Sequence, residues 1–164
     1  MKAKSTLALV FCGLVMGCSD AGSDKSPPAR SAKVFYMRRD TTTGVFQPYV
    51  LSDPKAIDQL RAAIHDATTR GPILRSDWHM GISVMHALLF YDSRNTIVFQ
   101  CHILGDDYLV VDGKRYSAEA TLSCLKDLTQ TKFQIATDDA IKGFSEVGRY
   151  VRRPRTKPGA DEKP

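Results

Sequence analysis

The spacing of hydrophobic residues changes along the chain between two periods, and each period predicts one type of secondary structure. Short runs of β-branched and aromatic residues bounded by turn residues are typical of strands. In chain order the predicted strands are Val34–Met37, Val45–Leu51, Ile82–Tyr91, Thr96–Leu104, Tyr108–Val111 and Lys114–Tyr116. Asp112-Gly113 joins the last two and suits a tight hairpin turn, because that turn needs positive φ angles.

The first helix is predicted between Asp53 and Gly71. Asp53 is suited to cap its N-terminus, because a carboxylate accepts hydrogen bonds from free backbone N–H groups, and Pro54 suits the first helical position. Four apolar residues at helical spacing form one stripe: Ile57, Leu60, Ile64 and Ala67. Gly71-Pro72 ends the helix.

A second helix follows the last strand. Ser117 is expected to cap it, and Glu119 is favourable in its first turn. Its buried side is predicted to carry Ala118, Leu122 and Leu125. Residues 133–150 show no clear period, although Asp138–Phe144 is compatible with a short helix. The order β-β-α-β-β-β-β-α predicts an α+β fold, with a mainly antiparallel sheet and two helices packed on one face.

The two longest strands permit a prediction of register. If Asp92 faces Asn95 in their turn, His86 lies opposite Cys101. One face is then almost wholly apolar, which predicts the core against the helices: Ile82, Val84, His86, Leu88, Phe90, Ile97, Phe99, Cys101 and Ile103. The other face is more apolar than a solvated face requires: Ser83, Met85, Ala87, Leu89, Tyr91, Val98, Gln100, His102 and Leu104. Either other parts of the chain cover this second face or it binds a partner.

The N-terminus has the pattern of a secretory signal. Lys2 and Lys4 precede an apolar run over residues 7–16, and a polar stretch follows Cys18. Val15-Met16-Gly17-Cys18 resembles the lipobox of bacterial lipoproteins. The resemblance implies cleavage before Cys18, a lipid on its sulfur, and attachment to a bilayer.

Two alternatives to lipidation remain at this point. The segment is also compatible with an ordinary cleaved signal, or with a membrane anchor, although its apolar run is shorter than the roughly 20 residues of a span. In the lipoprotein family, Asp directly after the lipidated Cys favours the inner membrane. Here Ser19 follows Cys18. We therefore expect a bacterial cell-envelope lipoprotein, on the outer membrane facing the periplasm rather than on the inner membrane.

Composition divides the chain into four parts. Residues 1–17 are the signal peptide, 18–32 a lipid anchor with a disordered tether, 33–150 one globular domain, and 151–164 a disordered basic, Pro-rich tail. The formal net charge is +5, but the signal and the tail carry the excess, so the domain is close to neutral. Export and this neutrality argue against a nucleic-acid partner.

The tail is a candidate contact for anionic headgroups or cell-wall polymer. The candidate segment runs from Arg149, just before the tail, to Lys157, and its basic residues are Arg149, Arg152, Arg153, Arg155 and Lys157. Each basic residue near a charged membrane surface contributes roughly 1 kcal/mol of attraction. The alternative is a tail that only improves solubility.

Two cysteines belong to the predicted domain. Cys101 faces the helices in the predicted register, and Cys124 lies beside the apolar stripe of the second helix. Thiol pairs persist as disulfides in an oxidising compartment. We therefore expect a Cys101–Cys124 disulfide, worth roughly 3 kcal/mol for a loop of this length. The alternative is two buried free thiols.

The sequence does not assemble a catalytic or metal-binding motif. His86 and His102 fall on opposite faces of the sheet, and no two histidines have the spacing of a known metal site. We therefore expect no metal, no cofactor and no catalytic residue. His86 is expected to be a core histidine with one hydrogen-bond partner. A hydrolase that uses Asp77, His79 or His102 is the enzymatic alternative.

The expected function is therefore binding. A small tethered domain without a catalytic motif suits a non-enzymatic module with a protein partner in the envelope. One form is an inhibitor or immunity-type protein that blocks an envelope enzyme, and another is a structural accessory of envelope assembly.

Overall fold

A single antiparallel sheet organises the domain. The computed structural model describes residues 27–73 and 83–151. The strands within these ranges are β1 (Lys33–Arg39), β2 (Phe46–Leu51), β3 (Val84–Tyr91), β4 (Ile97–Leu104), β5 (Tyr108–Val111), β6 (Lys114–Ser117) and β7 (Gln134–Ile135). The helices are α1 (Pro54–Thr69), α2 (Glu119–Thr131), α3 (Asp138–Ile141) and α4 (Ser145–Val151).

The strand order is β6-β5-β4-β3-β1-β2-β7, and every neighbouring pair is antiparallel. β1 is an interior strand, paired with β2, which follows it directly in sequence, and with β3, which is much later in the chain. The predicted α+β class with a mainly antiparallel sheet is confirmed. No helix within residues 27–73 and 83–151 is long and apolar enough to cross a bilayer.

Helices α1 and α2 share the core on one face of the sheet. The predicted stripe of α1 is fully or almost fully buried there, and the Asp53 carboxylate caps the helix by accepting the Lys55 N–H at 3.0 Å. The sheet contributes the side chains that alternate onto this face, as period-2 patterning requires. The largest of them are Tyr36, Leu51, Leu88, Phe90, Ile103, Leu109 and Tyr116.

Helices α3 and α4 cover the second face. The sequence left two possibilities for this face, cover by another part of the chain or a binding partner. The C-terminal segment is the cover. Ala87, Leu89 and Tyr91 are buried there, together with Phe35 and Met37 of β1. The helical side of this core comprises Ala136, Ala140, Ile141, Phe144, Val147, Tyr150 and Val151.

The predicted register of the β3–β4 hairpin is wrong by two residues. Leu88, not His86, lies opposite Cys101, and His86 lies opposite Ile103. Two features each shift the pairing by one residue. In the turn, the Asp92 N–H donates to the Thr96 carbonyl at 3.0 Å, which leaves a three-residue loop, and a bulge follows between Phe90 and Tyr91. Asn95 takes a positive φ of 59°, the geometry of a three-residue hairpin loop. From Phe99 to Ile103 the shift is two residues, so these side chains keep their predicted faces. Beyond the bulge the faces are exchanged: Ile97 packs in the second core and Val98 against the first, the reverse of the prediction.

The predicted cap of α2 is also wrong. Ala118 occupies the N-cap position, and no side chain caps the helix. Ser117 instead ends β6, and its Oγ lies 3.5 Å from the Glu119 nitrogen. The tight hairpin between β5 and β6 extends the strand pairing through Ser117, which displaces the start of the helix.

Among the described residues, Pro27 already contacts the folded domain, although it lies within the segment predicted as a tether. Arg61 on α1 donates from Nε to the Pro27 carbonyl at 2.7 Å, and the Ala32 N–H donates to the Tyr91 carbonyl at 2.8 Å. The signal peptide, Cys18 and the tail residues from Arg152 onward lie outside the described residues, so what the sequence predicts for them stays a prediction.

Cys101 and Cys124 belong to one core, and the structure shows no bond between their sulfur atoms. Cys101 is buried, and Cys124 packs against the same cluster from α2. Burial raises the pKa of both thiols, so both stay protonated and unreactive at neutral pH. The predicted disulfide stays a prediction.

A thiol titration in denaturant tests the disulfide. If the exported protein forms it, the titre of the Cys18→Ala chain, purified after removal of the signal, will rise by two thiols when reductant is added. The same titre with and without reductant would show two free thiols. A Cys101→Ser variant is the control, because it removes the rise without removing Cys124.

Candidate functional site

Three polar side chains form a row at one end of the sheet. Arg38 of β1 is paired in register with Gln47 of β2 on one side and with His86 of β3 on the other. Side chains at one level on adjacent strands lie about 4.8 Å apart on the same face. The row lies on the face that carries α1 and α2, because Arg38 continues the alternation of Val34 and Tyr36.

An aromatic layer lies behind this row. Tyr36 stacks on Tyr49 of β2 and on the imidazole of His86, with 5.7 Å between ring centroids in each pair. Phe133, which follows α2, packs against Tyr36 at 5.4 Å. The three ring contacts fix Tyr36, whose hydroxyl lies 2.8 Å from Nδ1 of His86.

A cleft opens in front of the row. Two adjoining cavities of about 550 and 460 Å³ share Arg38, His86 and Asp106. Asp106 lies in the turn between β4 and β5, and α2 forms the facing wall with Leu122, Leu125, Lys126, Thr129 and Gln130. We call this space the His86 cleft. Its other rim consists of Arg39, Asp40, Thr41, Gln47, Tyr49 and Met85.

His86 is neutral in this environment. Burial lowers the pKa of the imidazole below its usual range, and Arg38 adds to the lowering, while Asp106 acts in the opposite direction. Burial also raises the pKa of Tyr36 to about 12, so its hydroxyl keeps its proton. A protonated hydroxyl beside a neutral imidazole is a donor–acceptor pair.

The charge of Asp106 selects the tautomer of His86. Nε2 lies 3.9 Å from Oδ1 of Asp106, which favours a proton on Nε2. Nδ1 then accepts from the Tyr36 hydroxyl. A separation of 3.9 Å is too long for a hydrogen bond, so the Nε2 donor is directed at the cleft without a close acceptor on Asp106.

Arg38 is exposed at the mouth of the cleft. It forms no hydrogen bond or ion pair with another residue of the described ranges. The helical arginines differ, because each has a carboxylate partner one turn away: Arg61 with Asp58, Arg70 with Asp66, and Arg149 with Glu146. The guanidinium of Arg38 is therefore available to a group from outside the domain.

His102 lies on the opposite face, as predicted. Its Nε2 is 2.7 Å from the Tyr150 hydroxyl of α4, and burial lowers its pKa. The structure therefore does not bring His102 to the His86 cleft. Asp77 and His79, the other residues of the hydrolase hypothesis, lie outside the described residues.

The other candidates that the structure describes do not line the cleft. Within the ranges that the structure describes, no group of three His, Cys, Asp or Glu side chains is placed to hold a metal ion. Of the basic tail residues, Arg149 lies on α4 and pairs with Glu146 at 2.8 Å. Arg152, Arg153, Arg155 and Lys157 lie outside the described residues.

Sequence reasoning missed the cleft itself. It predicted His86 as a core histidine with one partner, and the Tyr36 hydrogen bond confirms that part. The sequence feature that could have indicated the cleft is Arg38. It is a cation at the end of a strand, and it continues the face of Val34 and Tyr36, which are buried. Cations rarely occupy an inward position unless they bind something or reach solvent.

The two buried histidines predict a loss of stability in weak acid. Because burial lowers the pKa of His86 and His102 in the folded state, the unfolded chain binds more protons as the pH falls through about 6.5. The free energy of unfolding should therefore be at its maximum above pH 7 and should decline between pH 7 and 5. Urea unfolding of the parent and of His86→Gln measures this, and the variant should show the smaller decline. An equal decline in both proteins would contradict a buried neutral His86.

Comparison of the chain with protein-family models, curated proteins and solved structures finds no match. The function is therefore inferred from the residues of the cleft.

Proposed function

We propose that this chain is a lipoprotein of the bacterial cell envelope, anchored through Cys18, whose domain is a non-enzymatic module that binds a partner protein in the His86 cleft. The observation that carries the proposal is the exposed Arg38 beside a buried imidazole that directs a donor outward. The sheet sets the backbone positions of both residues, and Arg38 has no hydrogen-bond or ion-pair partner among the described residues.

The composition of the cleft supports a protein partner. Arginine, tyrosine and methionine are enriched at the centres of protein interfaces, and hot spots favour Tyr and Arg. The cleft has these types on adjacent strands: Tyr36, Arg38, Arg39, Tyr49 and Met85. Because the strands hold their backbones in register, no backbone rearrangement is needed when a partner docks.

The position of the cleft supports a tethered module. The chain enters the sheet at Lys33, which pairs with Tyr91, whereas the cleft lies where Arg38 pairs with His86. Five residue steps along β1 separate these two levels, or roughly 17 Å at the rise of a strand. An anchor attached before Lys33 therefore leaves the cleft at the other end of the central strands, where a partner has access.

An inhibitor or immunity-type role is the concrete form of this proposal. One concave site on a small domain is sufficient to block an enzyme that shares its compartment, and a lipid anchor keeps the blocker in that compartment. The partner is then an envelope enzyme whose activity falls when the complex forms.

Affinity capture from solubilised envelopes tests the proposal. The intact lipoprotein and a Cys18→Ala chain serve as baits, and the domain should retain the same protein in both cases. That protein should be lost when Arg38 is replaced by Glu. Capture by the lipidated chain alone would show a lipid-mediated contact, and capture of nothing by either bait would contradict a protein partner.

A further inference from the structure

We infer that the His86 cleft recognises a carboxylate, supplied by an aspartate or glutamate side chain of the partner and held between the Arg38 guanidinium and the Nε2–H of His86. That the carboxylate belongs to a partner protein rests on the proposed function. That the cleft recognises a carboxylate rests on the residues of the cleft alone.

The imidazole is a fixed donor. Tyr36 lies 2.8 Å from Nδ1 and stacks on the ring, so the direction of the Nε2–H is set by the sheet. An ion pair between an arginine and a carboxylate is strengthened by two parallel N–H···O bonds. Arg38 is the register neighbour of His86, so one carboxylate has both donors within reach.

The position of Asp106 bears on where in the cleft the partner's carboxylate binds. The Asp106 carboxylate lies 3.9 Å from Nε2 of His86, beyond hydrogen-bond distance, and its side chain is 86% exposed. The turn around Gly105 holds it at the rim. We therefore expect a carboxylate from the partner to take the inner position between Arg38 and His86 while Asp106 remains in solvent.

The charge of the cleft fits one negative charge. Its lining carries three cations, Arg38, Arg39 and Lys126, and two carboxylates, Asp40 and Asp106. The Asp40 carboxylate is engaged, because its Oδ1 accepts the N–H groups of Thr42 and Thr43. One carboxylate neutralises the remaining positive charge, whereas a phosphate dianion brings a second charge toward Asp106.

An NMR titration tests the carboxylate site. The probes are sodium acetate and sodium phosphate, added at constant ionic strength to the full chain in detergent with labelled histidines. Acetate should shift the His86 resonances with a dissociation constant in roughly the millimolar range, the limit for so small a ligand. Phosphate should shift them at least tenfold more weakly. His102 is an internal control, because it lies on the opposite face against Tyr150.

Two variants locate the binding. Arg38→Gln should weaken the acetate response of His86 at least tenfold, whereas Arg94→Gln, an exposed residue of the β3–β4 turn, should leave it unchanged. Equal responses to acetate and phosphate would overturn carboxylate recognition in favour of a general anion site. Absence of any His86 response to acetate would overturn the site.

Partner capture separates this inference from the proposed function. In one outcome, acetate shifts the His86 resonances but the Arg38→Gln variant captures as much partner as the parent does. The site then binds a small free carboxylate, and the inference that the partner supplies the carboxylate is wrong. If no partner is captured while acetate binds, the proposed function fails and the carboxylate chemistry stands. Capture that is weakened at least tenfold by Arg38→Gln and competed by acetate supports both.

Discussion

Replacing Phe35 with alanine is expected to lower the free energy of unfolding by about 3–5 kcal/mol. Phe35 lies on the interior strand β1 and is fully buried. Its ring contacts Tyr91 at 5.7 Å and Phe144 at 4.7 Å, which ties β1 to β3 and to the segment that covers the second face. Its removal leaves a cavity among rings held by two antiparallel neighbours, so little of the space can be refilled.

Ile135→Ala is the matched control for this substitution. Ile135 also lies on a strand of the sheet, but it is 65% exposed on the edge strand β7. Its truncation should change the free energy of unfolding by no more than about 0.5 kcal/mol. Urea unfolding of both variants measures the difference, and similar losses in the two would show that the second core does not stabilise the domain as described.

Arg38→Glu is expected to reduce affinity for the partner by roughly 100-fold or more. Removing one member of a desolvated charge pair costs about 2–5 kcal/mol, and tenfold in affinity corresponds to about 1.4 kcal/mol. The reversed charge also faces Asp106 and the carboxylate of the partner, so repulsion adds to the loss. Surface plasmon resonance with the captured partner measures the change.

The fold should tolerate this reversal. Arg38 is exposed, and it has no hydrogen bond or ion pair within the described ranges, so its substitution should move the urea midpoint little. Arg94→Glu makes the same charge change in an exposed turn and should leave the affinity within a factor of two or three. Equal losses in the two variants would indicate long-range electrostatics rather than a contact in the cleft.

Local patterns accounted for most of the secondary structure. The stripe of α1, its Asp53 cap and the Asp112-Gly113 turn are each encoded within a few residues, and each was predicted correctly. The register of β3 and β4 was not, because it depends on whether Asn95 adopts a positive φ and adds a residue to the loop. Period-2 alternation still placed Cys101 and His102 on their correct faces.

Local sequence patterns could not predict the cleft. It forms because Arg38 pairs with His86 and Tyr36 bonds to the same imidazole, and those contacts join β1 to a strand about 50 residues later in the chain. Sequential reasoning pairs neighbours such as β1 with β2, but it does not reveal that β3 inserts beside β1. The cover of the second face was likewise hidden, because α3 and α4 are too short to show a helical period.

Hydrogen exchange of the full chain, with and without the captured partner, tests most directly whether the His86 cleft is the binding site. The account predicts slower exchange in the complex at the end of β1 near Arg38, in the turn around Asp106, and in the second half of α2 near Lys126, with no change in α3 or α4. Slower exchange confined to α3 and α4, or to the edge strand β6, would contradict it.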